Sequence, residues 1–306
     1  MTVERVVEFA SQGATLRGRL FLPAAAARRP AILVMAHGFS ATADGMVADQ
    51  YARVFRDAGL AVLLYDHRNF GRSGGEPRQQ IDNWLQVLGY RDAIDFVRTL
   101  DDVDAERVAV WGDSKSGGCV LVAGAFDDRI AAIVTQVPAC GDIPPLDDPG
   151  DALLDRVAGT YATALIGPAD AVEGPMPVVA ADQLATPSAL APLTAFRWFI
   201  EYGGRYGTGW QNWVTGVDRQ HSDPYQPALC ARRVRVPTMF VIAIDDEMPG
   251  ASSDVARLAF ESVRGPKELL EIEGGHFGLL YHPGALFDLA SRAESDFLLR
   301  HLGGAD

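Results

Sequence analysis

Two serines lie two residues apart in the stretch "VAVWGDSKSGG", residues 108–118, directly after an apolar run. A serine hydroxyl can attack an acyl carbon where a tight strand-to-helix turn with small neighbours exposes it. Both serines have small residues two positions away on each side. Because the turn must follow the strand directly, Ser114 is predicted at its apex and Ser116 in the first helical turn. Ser114 is therefore the predicted nucleophile and Ser116 the alternative, while a plain helix N-cap is the non-catalytic interpretation.

Serine attack also needs a base, and the chain has six histidines. His276, in "EGGHFG", lies in a Gly-rich loop directly after the last predicted strand. His37 and His67 also follow strands, but both precede the nucleophile in the chain. The remaining three have no strand-end position: His221, His282 and His301. His276 is the predicted base.

Carboxylates that could orient this base follow another predicted strand, in "IAIDDEMP". Asp246 stands at the turn position from which a carboxylate can reach a histidine in the neighbouring loop, and Asp245 is the alternative. A carboxylate after a strand also commonly forms a turn or caps a helix. Asp246 is the predicted acid.

The oxyanion formed during serine attack needs N–H donors, and backbone groups can supply them. One donor is predicted to be the N–H of Lys115, because the residue after the nucleophile lies at a helix N-terminus. The second is predicted to be the N–H of Phe39, in the turn after "AHG". Since backbone groups do this work, a lysine side chain is tolerable beside the nucleophile.

Apolar runs that alternate with helical patterns predict the elements that hold these residues. The predicted buried strands are residues 31–38, 61–66, 107–112, 130–137, 238–244 and 268–274, and residues 6–9 and 15–22 form an antiparallel hairpin. The predicted helices are residues 49–58, 84–100, 115–126, 253–263 and 286–302. This alternation indicates an α/β fold, a mostly parallel sheet with helices on both faces. Function in such sheets lies at the carboxyl ends of the strands.

A long interruption separates two of the predicted strands. Residues 138–235 are too many for a bare loop, so we expect a folded helical cap inserted into a core domain of residues 1–137 and 236–306. A cap over the carboxyl edge would place aromatic side chains around a substrate pocket. The candidates are Trp198, Trp210 and Trp213. Alternatively, these tryptophans form the small core of the cap itself.

Composition excludes several classes of protein. Of the 306 residues 48% are hydrophobic, which indicates a packed core, and a net charge of −13 argues against a nucleic-acid partner. The three cysteines have no metal-ligand spacing and predict buried thiols in a reducing compartment. With no apolar leader or membrane-length apolar segment, we expect a cytoplasmic protein with no membrane association. Oligomeric state stays open, with a homodimer as one alternative.

The strand-end segments together resemble the α/β-hydrolase superfamily: "HGFSA", "YDHRNFGRSGG", "WGDSKSGG", "IDDEMPG" and "GGHFG" occur in its order over nearly the whole chain apart from the cap. The resemblance implies the α/β-hydrolase fold and the order serine, acid, histidine, which maps onto Ser114, Asp246 and His276. "DHRNFGRS" is similar to the family's D-x-R-G-x-G-x-S turn, with Asn69 in place of the first glycine. The branch it resembles most includes intracellular esterases, peptidase-like hydrolases and polyketide-releasing acyltransferases.

Two departures from the family pattern flank the nucleophile. Ser116 replaces the usual glycine, and Asp113 and Lys115 place charges on both sides of Ser114. Asp113 either disfavours anionic substrates or pairs with Lys115. Neither departure removes a catalytic group.

The expected function is that of a serine hydrolase. It would cleave an ester or related acyl bond of a small molecule through an acyl-enzyme, with no metal or organic cofactor. One alternative is an acyltransferase or thioesterase that uses the same three residues. The other is a non-catalytic protein that binds a ligand in the capped pocket or acts as a scaffold.

Overall fold

A computed structural model describes residues 3–24, 28–143, 150–219, 221 and 224–303. Its strands are β1 (Val3–Ser11), β2 (Ala14–Leu22), β3 (Ala31–Ala36), β4 (Ala61–Tyr65), β5 (Gln80–Asp82), β6 (Asp104–Asp113), β7 (Ile130–Gln136), β8 (Ala171–Met176), β9 (Val214–Asp218), β10 (Thr238–Ala243) and β11 (Lys267–Ile272). Eight of these strands form the central sheet in the order β1-β2-β4-β3-β6-β7-β10-β11. The β1–β2 and β2–β4 pairs are antiparallel and the others parallel, so the predicted hairpin and mostly parallel sheet are confirmed.

The helices connect the parallel strands in the manner that the sequence pattern predicts. They are α1 (Ala48–Asp57), α2 (Asn83–Val97), α3 (Ser114–Phe126), α4 (Gly150–Thr163), α5 (Leu193–Gly203), α6 (Pro227–Cys230), α7 (Ser253–Ser262) and α8 (Ala285–Leu302). The five predicted helices correspond to α1, α2, α3, α7 and α8, with bounds that agree within three residues. The start of α2 is fixed by Asp82, whose Oδ1 accepts the N–H groups of Trp84 and Leu85 at 3.1 and 3.3 Å.

Two apolar cores lie on opposite faces of the sheet. Successive side chains of a strand point to opposite faces, so Leu33 and Met35 of β3 pack with α1 and α8, while Ile32 and Val34 pack with α2 and α3. Because both faces are covered, β3 is buried throughout, as its continuous apolar run predicts. The carboxyl ends of β3, β6 and β10 therefore meet at one edge of the sheet.

The insertion between β7 and β10 is not made of helices alone. Besides α4, α5 and α6 it contains β8 and β9, which pair antiparallel with each other, and β9 pairs parallel with β5 of the core. The short, exposed β8 contains Gly174 and Pro175 and lacks the alternation that would have predicted a strand. Residues 144–149, 220, 222 and 223 of the predicted cap lie outside the described residues, as do 1, 2, 25–27 and 304–306 of the core domain.

Candidate active site

Ser114 lies at the apex of the turn between β6 and α3. Its φ of 53° is in the left-handed region, which non-glycine residues seldom adopt and which is typical of a nucleophile elbow. A side chain on Gly38 would place its Cβ 2.9 Å from the Cβ of Ser114, so the turn after β3 approaches the serine closely. Ser114 lines a cavity of about 460 Å³ at the carboxyl edge of the sheet.

Ser116 occupies a different environment from Ser114. It is buried, with 1% of its surface exposed, and it is not among the residues that line the cavity. Its hydroxyl donates to the backbone oxygen of His37, and its Oγ lies 2.8 Å from Nε2 of His67. Ser116 thus joins two strand-end loops beneath the elbow, and only Ser114 faces the cavity.

Close packing explains the glycines around the elbow. A Cβ on Gly112 would lie 2.3 Å from the backbone oxygen of Ser116, and one on Gly117 would lie 2.9 Å from Oγ1 of Thr135. These positions admit no side chain, because backbone and strand atoms would have to move. The small residues of "GDSKSGG" therefore bring the first turn of α3 against β6 and β7.

His276 and Asp246 form a hydrogen-bonded pair beside the cavity. Nδ1 of His276 lies 2.7 Å from Oδ2 of Asp246, and both side chains are 2% exposed. Oδ1 of Asp246 accepts the N–H of Met248 at 3.0 Å, which fixes the carboxylate. The alternative acid, Asp245, is exposed. His276 lines the same cavity as Ser114, and its Nε2 is the ring nitrogen left for a proton from the serine.

The predicted oxyanion donors Phe39 and Lys115 also line this cavity. A hydrogen bond connects the two segments that carry these donors. Oδ1 of Asp113, at the end of β6, accepts the N–H of Gly38, in the turn after β3, at 2.9 Å. Burial raises the pKa of Asp113, since the charged form loses its water. Asp113 does not form the suggested pair with Lys115, whose ammonium donates to Oδ1 of Asn83 instead.

The predicted tryptophans lie at different depths. Trp198 is buried, donates from Nε1 to the backbone oxygen of Leu280 at 2.8 Å, and lines the cavity. Trp210 lies behind the wall, stacked on Phe199 with ring centroids 5.4 Å apart, so its predicted place in the lining is corrected. Trp213 is also outside the lining, 37% exposed, with Nε1 bonded to Gln211. Both tryptophans follow α5 in the chain.

Residues 31–283 match the protein family described as alpha/beta hydrolase fold. The chain belongs to the α/β-hydrolase family. Its similarity to the quorum-quenching protein AidA of Acinetobacter baumannii extends over 96% of this chain and 94% of AidA, at 30% identity. The crystal structure of the alpha/beta hydrolase GrgF from Penicillium sp. sh18 superposes with a TM-score of 0.73 over 98% of this chain and 99% of GrgF, at 27% identity.

A similarity over a shorter segment connects this α/β-hydrolase to fungal proteins. The chain is 44% identical to the thiohydrolase aneE of Aspergillus aculeatus over 133 residues. This segment covers 43% of this chain and 41% of aneE. The match to aneE thus spans less than half the length of that relative.

No group of three or more His, Cys, Asp or Glu side chains in the described ranges could hold a metal ion. Nor is any helix in that part of the chain long and apolar enough to cross a membrane.

Two residues that position the candidate site were missed in the sequence. Oε2 of Glu247 accepts the N–H of His276 at 2.9 Å, and Oε1 accepts the hydroxyl of Thr194, which begins α5 of the insertion with Leu193. Glu247 thus connects the histidine loop to the insertion, and its place in the run "DDE" was the available signal. Asn83, which binds Lys115, gave no such signal because it is distant in the chain.

Proposed function

We propose that this α/β-hydrolase is a serine hydrolase that cleaves an ester or related acyl bond of a small molecule. One observation carries the proposal. Ser114, held at φ 53° on the elbow, lines one cavity with His276, whose Nδ1 is hydrogen-bonded to a buried Asp246. A nucleophile, a base and an orienting acid in this arrangement are the groups that acyl transfer to serine requires.

In the acylation step, Oγ of Ser114 forms a bond to the acyl carbon while its proton moves to Nε2 of His276. Asp246 holds the ring so that Nε2 faces the serine, and it stabilises the imidazolium that forms. The backbone N–H groups of Phe39 and Lys115 donate to the oxyanion, at the N-terminus of α3. When the intermediate collapses, the bond to the leaving group breaks and His276 returns the proton to that group.

In the deacylation step, His276 takes a proton from water and the hydroxide attacks the acyl carbon bound to Ser114. The bond between Oγ and the acyl carbon breaks, Oγ recovers the proton and a carboxylic acid leaves. The overall reaction consumes one water and needs no cofactor.

A second candidate function is acyl transfer or thioester cleavage on the same residues. The similarity to a protein named thiohydrolase favours it, as does the curated relative named polyketide transferase grgF, 38% identical over 133 residues. The apolar cavity wall also favours it. Trp198, Phe199 and Phe277 would shield an acyl-enzyme from water and leave time for another acceptor.

Pre-steady-state kinetics tests the proposed function. With p-nitrophenyl butyrate, we expect a burst of p-nitrophenol close to one equivalent per protein, followed by slower turnover, because the good leaving group makes acylation faster than deacylation. The matched thioester, with added amine or alcohol acceptors, shows by product analysis whether water or the acceptor takes the acyl group. Neither burst nor turnover with any ester or thioester in a chain-length series would contradict the proposal and favour a non-catalytic ligand-binding role.

A further inference from the structure

The side chain of Lys115 is a cation next to the candidate active site. The residue is half-buried and lines the cavity one position after Ser114. Its Nζ donates to the amide oxygen of Asn83 at the start of α2. A neutral amide accepts one of the three ammonium protons and supplies no opposing charge.

Among the described residues, no carboxylate lies within 4.0 Å of this ammonium, unlike most arginines of the chain. Asp82, whose charge favours the ammonium form of Lys115, and Asp113, two residues earlier in the chain, both have other hydrogen-bond partners. Asp82 binds the guanidinium of Arg219 through two hydrogen bonds of 2.8 and 2.9 Å, and Asp113 binds the turn after β3. Burial lowers the pKa of Lys115, because the charged form is poorly solvated there.

An incompletely solvated charge without a counter-ion is costly and marks a site where a ligand supplies the opposite charge. The chain has two lysines, and the other one, Lys267, is exposed and donates to three backbone oxygens, those of Phe260, Glu261 and Val263. Lys115 differs from that lysine in its burial, in its position beside Ser114 and in having a single acceptor within the described part of the chain, the amide oxygen of Asn83.

The cavity has two chemically distinct sides. Trp198, Phe199 and Phe277 belong to the core beneath α5 and α8, on the side of His276. Tyr225 belongs to the opposite core and packs along α3, with its hydroxyl 3.6 Å from Sγ of Cys119, one turn after Lys115. A substrate bound across Ser114 would thus meet an aromatic surface at one end, and Lys115 and Tyr225 line the cavity at the other.

We propose that Lys115 binds a carboxylate of the substrate, so that this α/β-hydrolase selects acyl compounds with an anionic group at one end and an apolar group at the other. The inference rests on the proposed function of Ser114. A carboxylate would complete the ion pair in a half-buried site, where charge-assisted hydrogen bonds are strongest. The proposal gives a role to Lys115, one of the two charged residues beside the nucleophile. The other, Asp113, accepts a backbone N–H group instead.

Two pairs of matched esters test this selectivity. In the first pair the charge is on the acyl group: mono-p-nitrophenyl glutarate against its neutral methyl ester. In the second it is on the leaving group: the butyrate ester of 3-hydroxybenzoate against that of methyl 3-hydroxybenzoate. The measured quantity is the ratio of kcat/KM for the charged ester to kcat/KM for its neutral partner, which cancels any general loss of activity.

In Lys115→Met, we expect this ratio to fall by about 10- to 100-fold for one of the two pairs, mainly through KM, as for loss of a charged hydrogen bond. The affected pair identifies which end of the substrate carries the charge. Lys115→Arg should retain most of the ratio. Asn83→Leu removes the hydrogen-bond acceptor of the ammonium but no charge, so it should lower the ratio less. This variant replaces Lys115→Met in the test if Lys115→Met does not fold.

A merely structural role of Lys115 would lower kcat/KM equally for charged and neutral esters. An unchanged ratio for both pairs, with the neutral esters still hydrolysed, would overturn this inference and leave the proposed function standing. Failure to hydrolyse any ester, with no covalent adduct on Ser114, would overturn the proposed function and this inference with it.

Discussion

Ser114→Ala is expected to lower kcat/KM for p-nitrophenyl butyrate by about 10⁴-fold or more, because the variant has no atom to form the acyl-enzyme. The residual rate would come from the cavity and the oxyanion donors alone. The circular dichroism spectrum and the thermal unfolding midpoint should be close to those of the wild type, since the substitution to alanine removes no contact in the core. The burst of p-nitrophenol should disappear entirely.

The two neighbouring acids provide a matched comparison for the same prediction. Asp246→Asn should lower kcat by about 10³- to 10⁴-fold, because an amide at 2.7 Å from Nδ1 favours the wrong tautomer of His276. Asp245→Asn, at an exposed site one residue earlier, should stay within about twofold of the wild type. Equal losses in both variants, or a larger loss in Asp245→Asn, would contradict the assignment of the acid.

His67→Gln is expected to change how the free energy of unfolding depends on pH. The single hydroxyl proton of Ser116 goes to the backbone of His37, so Nε2 of His67 is the donor in the 2.8 Å bond to Oγ. A second proton would enter at Nδ1, which is buried and has no partner. Burial and the positive charges of His37 and Lys115 therefore lower the pKa of His67 from 6.5 to about 3.

The sign follows from this lowered pKa. The unfolded chain binds a proton at His67 below pH 6.5 and the folded chain does not, so the stabilisation is complete above pH 6.5 and is lost as the pH falls towards 3. Between pH 7.5 and 5, the wild type should lose about 2 kcal/mol relative to His67→Gln. Urea unfolding of both proteins across this range measures the difference.

Asp66→Asn is the control with the opposite sign. Burial raises the pKa of Asp66 from 3.8 to about 6, so its contribution is present at low pH and is lost as the pH rises through 6. On acidification from pH 7.5 to 5, the wild type should therefore gain about 1 kcal/mol relative to Asp66→Asn. A gap between wild type and His67→Gln that does not change with pH would show that the pKa of His67 is the same in the folded and the unfolded chain, and would contradict the prediction.

The elements that hold the site were predictable because each has a local signal. Buried parallel strands such as β3 and β10 are continuous apolar runs, and the residues that follow them must meet at one edge of the sheet. The bond between Asp246 and His276 follows from that convergence, although they are thirty residues apart. Choosing Asp246 over Asp245 depended only on its place in the turn.

The insertion could not be predicted to the same degree, because its signals are tertiary. β8 and β9 are short, and β9 lies between two partners, β8 of the insertion and β5 from a distant part of the chain. Trp198 lies within α5 and lines the cavity, whereas Trp210 follows the helix and stacks on Phe199, a contact that the sequence does not signal.

The charges beside the nucleophile show the same limit at the level of single residues. Asp113 and Lys115 are separated by one residue, so pairing was a reasonable expectation. The elbow turns them apart, towards Gly38 and Asn83. The left-handed backbone of Ser114 lies between the two residues.

Covalent labelling with a fluorophosphonate, followed by peptide mass spectrometry, tests directly whether Ser114 is the nucleophile. The wild type and Ser116→Ala should each carry one adduct on Ser114, and Ser114→Ala should carry none, because only Ser114 faces the cavity and His276 activates it. An adduct that persists in Ser114→Ala but is lost in Ser116→Ala, or the absence of any adduct in the folded wild type, would contradict the account.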